Sequence, residues 1–325
     1  MSNASSYKIT PLVGLLLVIP PLLWAGNAVV GRIVLPLIPP ITLNLFRWLV
    51  AFLLLVPVAW PVLRANSPLW PAWRRFAFLG LLGTGGYNTL QYVALQTSSP
   101  LNVTLVAAST PIWMLILGRL FFGVPIPLRS VVGALCSIAG VVAVISHGQW
   151  ERLRHVQLVA GDAWMLLAAL VWAWYSWLLA RPKEPASIRQ DWSAFLLGQM
   201  VFGLAWSGLF AGGEWWSIAQ TTALPAETAV AAAHEGRTAV THITWGWPLL
   251  LALLYVAVGP SLLAYRCWGA GVQRVGPTIA GFFNNLTPLF AALLSTLFLG
   301  QSPQPYHLVA FVLIVGGILI SSVHR

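Results

Sequence analysis

The amino-acid sequence predicts an all-α integral membrane protein: ten transmembrane helices, arranged as two inverted five-helix repeats around a central cavity. Three observations lead there. The chain of 325 residues is 58% hydrophobic and 7% charged, with a mean hydropathy of +0.82, whereas soluble domains carry roughly 25% charged residues. Ten segments approach the span of about 20 apolar residues that a bilayer core requires. Finally, two stretches repeat each other without a gap: Pro100, Pro111, Leu120, Phe121, Gly123 and Gly140 have the same residues 177 positions later, at Pro277, Pro288, Leu297, Phe298, Gly300 and Gly317.

The spans are predicted at about 12–32, 40–61, 75–97, 100–121, 128–146, 160–180, 192–211, 247–272, 277–299 and 305–323. The first follows Lys8 and could be taken for a secretory leader. It runs past the length of a leader's apolar core and reaches Asn27 to Arg32 without a small-x-small cleavage site, so it reads as a retained helix. The second contains Arg47. The third and fourth are separated only by Ser98-Ser99, and Pro100 opens the fourth, a position where the missing N–H costs nothing. Gly133 and Gly140 in the fifth, with Gly80, Gly83, Gly85 and Gly86 in the third, allow close helix approach. The sixth carries Val171-Trp172-Ala173, similar to Leu23-Trp24-Ala25 in the first. After the seventh comes an extramembrane loop at about 212–245, holding Glu214, Glu227, His234, Glu235 and Arg237. His234-Glu235 lacks the second histidine of a zinc-protease helix, so a solvated loop is the better reading. The eighth and ninth join near Arg274 to Gly276, and Pro277 opens the ninth as Pro100 opens the fourth. Pro111 and Pro288 fall mid-span and predict kinked helices.

The Lys/Arg bias sets orientation. With ten spans and a cytoplasmic N-terminus, the inside holds Lys8, Arg64, Arg74, Arg75, Arg119, Arg129, Arg181, Lys183, Arg189, Arg274 and Arg325. The outside holds Arg32, Arg152, Arg154 and Arg237. Both termini are therefore expected in the cytoplasm. Residues 1–147 form the first repeat, 148–159 a linker, and 160–325 the second repeat with the loop at 212–245. Five spans per repeat is odd, so the second copy inserts upside down, the arrangement behind many alternating-access carriers.

Several classes are disfavoured. The formal net charge is +10, but the basic residues are scattered between apolar runs and form no stripe for nucleic acid. Cys136 and Cys267 lie far apart in apolar spans and read as packed thiols, with no disulfide framework or metal site. No Ser/His/Asp set or paired carboxylates cluster at a span end, which argues against a membrane enzyme. No cofactor is expected. A duplicated helical membrane unit instead points to a transporter, with its site where the repeats meet.

The order of short motifs across both copies resembles the drug/metabolite transporter superfamily, EamA type. The motifs are Leu23-Trp24-Ala25-Gly26-Asn27, Phe46-Arg47-Trp48, Tyr87-Asn88 through Tyr92-Val93-Ala94-Leu95, then Pro111, Gly133 and Gly140. The second copy supplies Tyr265, Gly276-Pro277, Pro288 and Leu299-Gly300. The resemblance covers nearly the whole chain except Gly212 to Trp245. It implies export of amino acids or other small metabolites across a bacterial inner membrane, with YddG-like amino-acid exporters as one branch. Many members carry a glutamate just before the ninth-span proline, where this chain has Thr287. A role built on that carboxylate does not transfer.

Polar residues inside the spans are the substrate-site candidates: Asn27, Asn44, Arg47, Tyr87, Asn88, Gln91, Tyr92, Trp113, Tyr175, Gln199, Tyr265, Trp268, Asn284 and Asn285. Asn88, Gln91 and Tyr92 share one helical face. Each amide has an alternative role in interhelical hydrogen bonding. Arg47 either binds a substrate carboxylate by paired hydrogen bonds or is structural. Arg266 is expected to snorkel to the inner face. No Asp, Glu or His falls mid-span, so a facilitative carrier is expected rather than a strongly proton-coupled one. Amino acids suit this set: arginine for the carboxylate, aromatic faces and amides for the ammonium and side chain. A nucleoside, a vitamin or a drug-like compound is the alternative cargo. Each chain holds both repeats, so a monomer is expected.

Overall fold

The computed structural model describes residues 10–34, 36–98, 100–149, 151–155, 157–222, 240–299 and 304–322. Among the described residues the chain is helical and has no strand. The reason is physical: hydrocarbon offers no partner for a backbone N–H or C=O, and a helix satisfies both within one segment.

The helices, in order, are α1 (Pro11–Val34), α2 (Pro40–Ala59), α3 (Trp73–Gly80), α4 (Tyr87–Thr97), α5 (Pro100–Ala107), α6 (Thr110–Phe122), α7 (Leu128–Ile145), α8 (Glu151–Arg154), α9 (Ala160–Ala180), α10 (Ala186–Arg189), α11 (Trp192–Thr222), α12 (Trp247–Val256), α13 (Ala264–Phe283), α14 (Leu286–Leu299) and α15 (Pro305–Ser322). A π-helical segment, Leu81–Gly86, joins α3 to α4, and another, Ala257–Leu263, joins α12 to α13. Eight helical stretches among the described residues are long and apolar enough to cross a membrane: Pro11–Gly31, Pro40–Leu63, Asn102–Phe122, Leu128–Ile145, Ala160–Ala180, Trp192–Gln220, Trp247–Phe283 and Pro305–Ser322.

Four departures from the predicted spans have local causes. α11 continues to Thr222, so the first part of the expected loop at 212–245 is helical. Its extra turns carry Trp215, Trp216 and Ile218, and Glu214 is anchored as described below. Residues 223–239, with Glu227, His234, Glu235 and Arg237, lie outside the described residues. The third span contains the π segment. The fourth breaks at Ala108-Ser109, which places Pro111 in the first turn of α6. The eighth and ninth are merged through α13, which is broken at Gly276. Gly276 has φ 79°, a left-handed value that a side chain disfavours, and Pro277 then restarts the helix.

The scarce acids close helix ends. Glu214 of α11 accepts the Ile41 and Thr42 amides at 2.9 and 2.7 Å and the Thr42 hydroxyl at 2.7 Å, capping α2, whose own flanking residue is Pro39. Asp162 accepts the Val159 amide at 2.9 Å, Asn102 Nδ2 at 3.2 Å and the Ser98 hydroxyl, joining α9 to α5 and the end of α4. Asp191 caps α11 through the Ser193 amide at 2.8 Å and hydroxyl at 2.6 Å. A carboxylate at a helix N-terminus meets unpaired N–H groups and the positive end of the dipole.

α7 and α15 approach to backbone contact. A Cβ on Gly133 would lie 2.6 Å from the Gly317 carbonyl oxygen, one on Gly317 2.5 Å from that of Gly133, and one on Gly140 2.9 Å from that of Ala310. The two helices therefore run antiparallel.

Gly133→Ala is expected to force α7 from α15 at a cost of about 1–3 kcal/mol. Gly208 has open space at its Cβ, so Gly208→Ala should be neutral or stabilising. Thermal unfolding in detergent separates the two. Asp191 supplies a pH test. The Ser193 hydroxyl, aided by the Ser193 and Ala194 amides, holds its carboxyl below the usual carboxylate range. Its stabilisation is present above the unfolded value of about 3.9 and is lost as pH falls through the folded value. Asp191→Ala should cost about 0.5–2 kcal/mol at neutral pH, with the difference from wild type shrinking in urea titrations at acid pH.

Candidate functional site

The two π segments place the site. π turns widen a helix locally and recur at functional sites. The first leads into Tyr87 and Asn88, and the second leads into Tyr265. The Tyr265 hydroxyl donates to the carbonyl of Gly83, inside the opposite π segment. Gly83 allows a further approach: a Cβ there would lie 2.6 Å from the Tyr175 ring.

A buried aromatic layer forms around this contact. Trp24 meets Trp172 edge-on at 5.2 Å and Trp268 at 5.6 Å. Trp172 packs 5.0 Å from Tyr87 and 5.7 Å from Tyr265, and Trp48 lies 4.9 Å from Tyr265. Three of the polar tips are tied down. Trp24 Nε1 donates to the Pro260 carbonyl at 3.2 Å, Trp268 Nε1 to Ser176 Oγ at 3.2 Å, and the Tyr175 hydroxyl to Gln199 Oε1 at 2.9 Å.

On one side of the layer lies a cavity of about 480 Å³. Its deep wall is Tyr175, Gln199 and Tyr265, all buried. Its mouth is Gln190, Gln273 and Arg274, all exposed. The lining continues with half-buried Arg189, buried Phe195 and the exposed Trp192 and Arg266. The Arg266 guanidinium sits 4.5 Å over the Trp192 ring and that of Arg189 4.6 Å over Phe195. Arg274 Nη1 donates to the Ala270 carbonyl at 3.0 Å. Beneath this wall Glu184, whose side chain is 0% exposed, pairs with Arg75 at 2.8 Å and lies 4.0 Å from Arg189. Arg75 also donates to the Leu178 carbonyl at 2.8 Å, so the pair secures the end of α9. Burial lowers the proton affinity of Arg189, and the Glu184 carboxylate opposes that effect.

Near Tyr265, among residues that do not line the cavity, is a buried polar cluster with unmade hydrogen bonds. Arg47 is 2% exposed; its Nε donates to Ser261 Oγ at 2.9 Å, and its guanidinium lies 5.4 Å from the Trp48 ring centre. Ser261 passes its own proton to the Val256 carbonyl at 2.8 Å. Asn44 Oδ1, Trp48 Nε1 and Asn88 Nδ2 are buried without a partner among the described residues. Asn44, Arg47 and Trp48 share a face of α2.

The predicted candidates thus divide. Tyr175, Gln199 and Tyr265 line the cavity. Tyr87 and Trp268 belong to the layer. Asn44, Arg47 and Asn88 belong to the buried polar cluster. Asn27, Gln91 and Tyr92 are half-buried and outside the cavity wall. Trp113 bonds Ser109 at 3.1 Å beside the α5–α6 break. Asn285 bonds Ser137 at 2.9 Å and the Ala108 carbonyl at 3.5 Å, tying one helix break to the other, and Asn284 precedes it. Arg266, expected to snorkel, is exposed and lines the cavity beside Trp192. Arg189, Trp192, Gln273 and Arg274 were absent from the prediction. The available signal was Arg266, Ala270, Gln273 and Arg274 at i, i+4, i+7 and i+8, one helical face, which topology counting treats merely as flanking charge.

A bundle of membrane-length helices around a polar, aromatic-floored cavity open at one end is the architecture of a membrane carrier. The EamA-like transporter family model matches twice, at residues 12–146 and 159–323. An uncharacterized transporter of Archaeoglobus fulgidus is 23% identical over 310 residues, covering 95% of this chain and 96% of that protein. The uncharacterized inner membrane transporter YedA of Escherichia coli is 24% identical over 306 residues, covering 92% and 87%. The aromatic amino acid exporter YddG of Ancylobacter novellus is 23% identical over 254 residues, covering 78% and 76%. A solved crystal structure superposes with TM-score 0.67 at 21% identity, covering 98% of this chain and 96% of that one; this likeness bears on the fold alone. The chain belongs to the EamA-like transporter family, within the drug/metabolite transporter superfamily, and is a multi-pass membrane transporter.

Gly83→Ala is expected to cost about 1–3 kcal/mol by driving the Tyr175 ring from Gln199. In a Tyr175→Leu background the cost should largely vanish. A double-mutant cycle on thermal unfolding reads this coupling.

Proposed function

We propose that this protein exports amino acids, aromatic ones foremost, by facilitated alternating access. The observation that carries the reading is the cavity itself. Aromatic walls fit an apolar side chain, amides fit polar groups, and arginine fits a carboxylate. The similarity to the YddG exporter points the same way. Nucleosides remain the second reading, because stacked aromatic walls with amides suit a base equally.

In this reading the chain crosses the bilayer ten times. Trp73–Thr97, with its π segment, adds a crossing to the eight apolar stretches. Trp247–Phe283, at 37 residues, would run about 55 Å if straight, against a core of about 30 Å. Its break at Gly276 ends one crossing there, and Pro277–Phe283 together with α14, Leu286–Leu299, supplies the next. The repeats, 1–147 and 160–325 about the linker 148–159, are inverted. Three features support this. The π segments end 177 residues apart, at Gly86 and Leu263, the same separation as Ala108 and Asn285 at the helix breaks. The contacts Gly133 with Gly317 and Gly140 with Ala310 exchange equivalent positions, as a two-fold axis across antiparallel helices requires. Both termini are cytoplasmic. The cavity mouth at Arg189 and Arg274 then faces the cytoplasm, where an exporter loads. The chain acts as a monomer.

Arg47, in the polar cluster near Tyr265, is the second carboxylate station, reached when Tyr265 swings away. Coupling to protons is weak, because Asp162, Asp191, Glu184 and Glu214 are each committed to a cap or an ion pair.

Counterflow in proteoliposomes at equal pH tests the function. A labelled amino-acid pool should exchange, aromatic members fastest. Arg47→Ala should lower exchange by about tenfold or more, the loss of one charged hydrogen-bonding partner. Absence of amino-acid exchange by folded protein, with nucleosides exchanging instead, would replace this reading with the second one.

A further inference from the structure

We infer that substrate recognition rests on the carboxylate and not on the amine: the carrier accepts aromatic carboxylates that lack the α-amino group and rejects the corresponding amines. The inference rests on the amino-acid reading above and narrows its substrate class.

The cavity wall holds Arg189, Arg266 and Arg274 and no carboxylate. Glu184 lies beneath the wall, 4.0 Å from Arg189, with its oxygens used by Arg75 Nε at 2.8 Å and the Lys183 amide at 3.0 Å, and Asp191, between the lining residues Gln190 and Trp192, caps α11 through Oδ1. Arg274 already donates to the Ala270 carbonyl, and the Arg266 guanidinium lies 4.5 Å over the Trp192 ring. Gln199 Oε1, the deep amide acceptor, is taken by the Tyr175 hydroxyl. In the polar cluster near Tyr265 the next charged group is again an arginine, Arg47, buried and with no acid in ion-pair range among the described residues. An entering molecule therefore meets positive groups at every stage.

For a carboxylate this succession is favourable, since guanidinium groups bind it by charge-assisted hydrogen bonds. For an ammonium the balance is reversed. It loses water on entry, repels the same guanidinium groups and finds the deep acceptor occupied; the aromatic faces at Trp192 and Phe195 already carry Arg266 and Arg189. The Gln190 and Gln273 amides at the mouth can solvate either end. Deleting the amine from an amino acid thus removes an unfavourable group and leaves the recognised one. Deleting the carboxylate removes the recognised one.

The test compares L-phenylalanine, 3-phenylpropanoate and 2-phenylethylamine, which share a ring and chain. In proteoliposomes exchanging labelled phenylalanine, 3-phenylpropanoate is expected to compete at least as well as unlabelled phenylalanine. 2-Phenylethylamine should compete at least about tenfold less. Arg266→Gln and, separately, Arg274→Gln should weaken competition by 3-phenylpropanoate several-fold while leaving the weak effect of the amine unchanged. Phenylalanine exchange that is blocked by the amine but not by 3-phenylpropanoate would overturn the inference and leave the amino-acid reading standing. If phenylalanine does not exchange, the amino-acid reading fails by itself. Ligand-dependent thermal shift of the detergent-purified protein then decides the inference separately: a rise with 3-phenylpropanoate and none with the amine upholds it, and no rise with 3-phenylpropanoate overturns it.

Discussion

The constraint on which the rest depends is the cost of an unpaired polar group away from water. The chain has seven acidic residues, and four of the five described ones are spent on structure, the fifth being the exposed Glu151 at the start of α8. Asp162, Asp191 and Glu214 close helix N-termini, and Glu184 binds Arg75 at the end of α9. Once the acids are used in this way, the interior has no negative charge to offer. No carboxylate lines the cavity, and the arginines on its wall are held mainly by carbonyls and aromatic faces, with Glu184 beneath Arg189 the one counter-ion in range among the described residues.

The same constraint explains where the helices are irregular. A π turn or a broken turn frees backbone groups, which must then find other partners. At Gly83 the partner is the Tyr265 hydroxyl, at Pro260 the Trp24 indole, and at Ala108 the Asn285 amide. In each case the free carbonyl belongs to one half of the chain and the donor to the other. Irregular backbone is therefore concentrated where the halves meet, next to the cavity, and the regular ends of the helices are left for lipid.

That pattern also decides what could be read from the sequence. Helix positions followed from apolar runs, and the correspondence of Pro111 with Pro288 followed from spacing alone. Tyr175, Gln199 and Tyr265 were legible as polar residues in apolar surroundings. Their grouping was not, because it depends on which faces of α9, α11 and α13 turn together. The arginine wall was hidden for a different reason. A basic residue near a span end carries a topological signal, and Arg189, Arg266 and Arg274 satisfy that signal whether or not they also face a cavity. The extension of α11 to Thr222 was missed because Ala, Gly and Glu214 interrupt its hydropathy, while the cap that Glu214 gives to α2 is a contact 173 residues away in sequence.

The contacts between the halves differ in a way that bears on the proposed alternation. The aromatic layer is joined by neutral hydrogen bonds and ring contacts, each contributing about 1 kcal/mol net. Such a layer can repack at modest cost. The α7–α15 contact is backbone against backbone at Gly133 and Gly317, with no side chain to rotate, so it resists sliding. In the proposed cycle α7 and α15 are therefore the pivot, and the layer around Tyr265 is the part that opens. Its opening would join the arginine cavity to the Arg47 pocket, giving a carboxylate a second guanidinium to move to as it leaves the first.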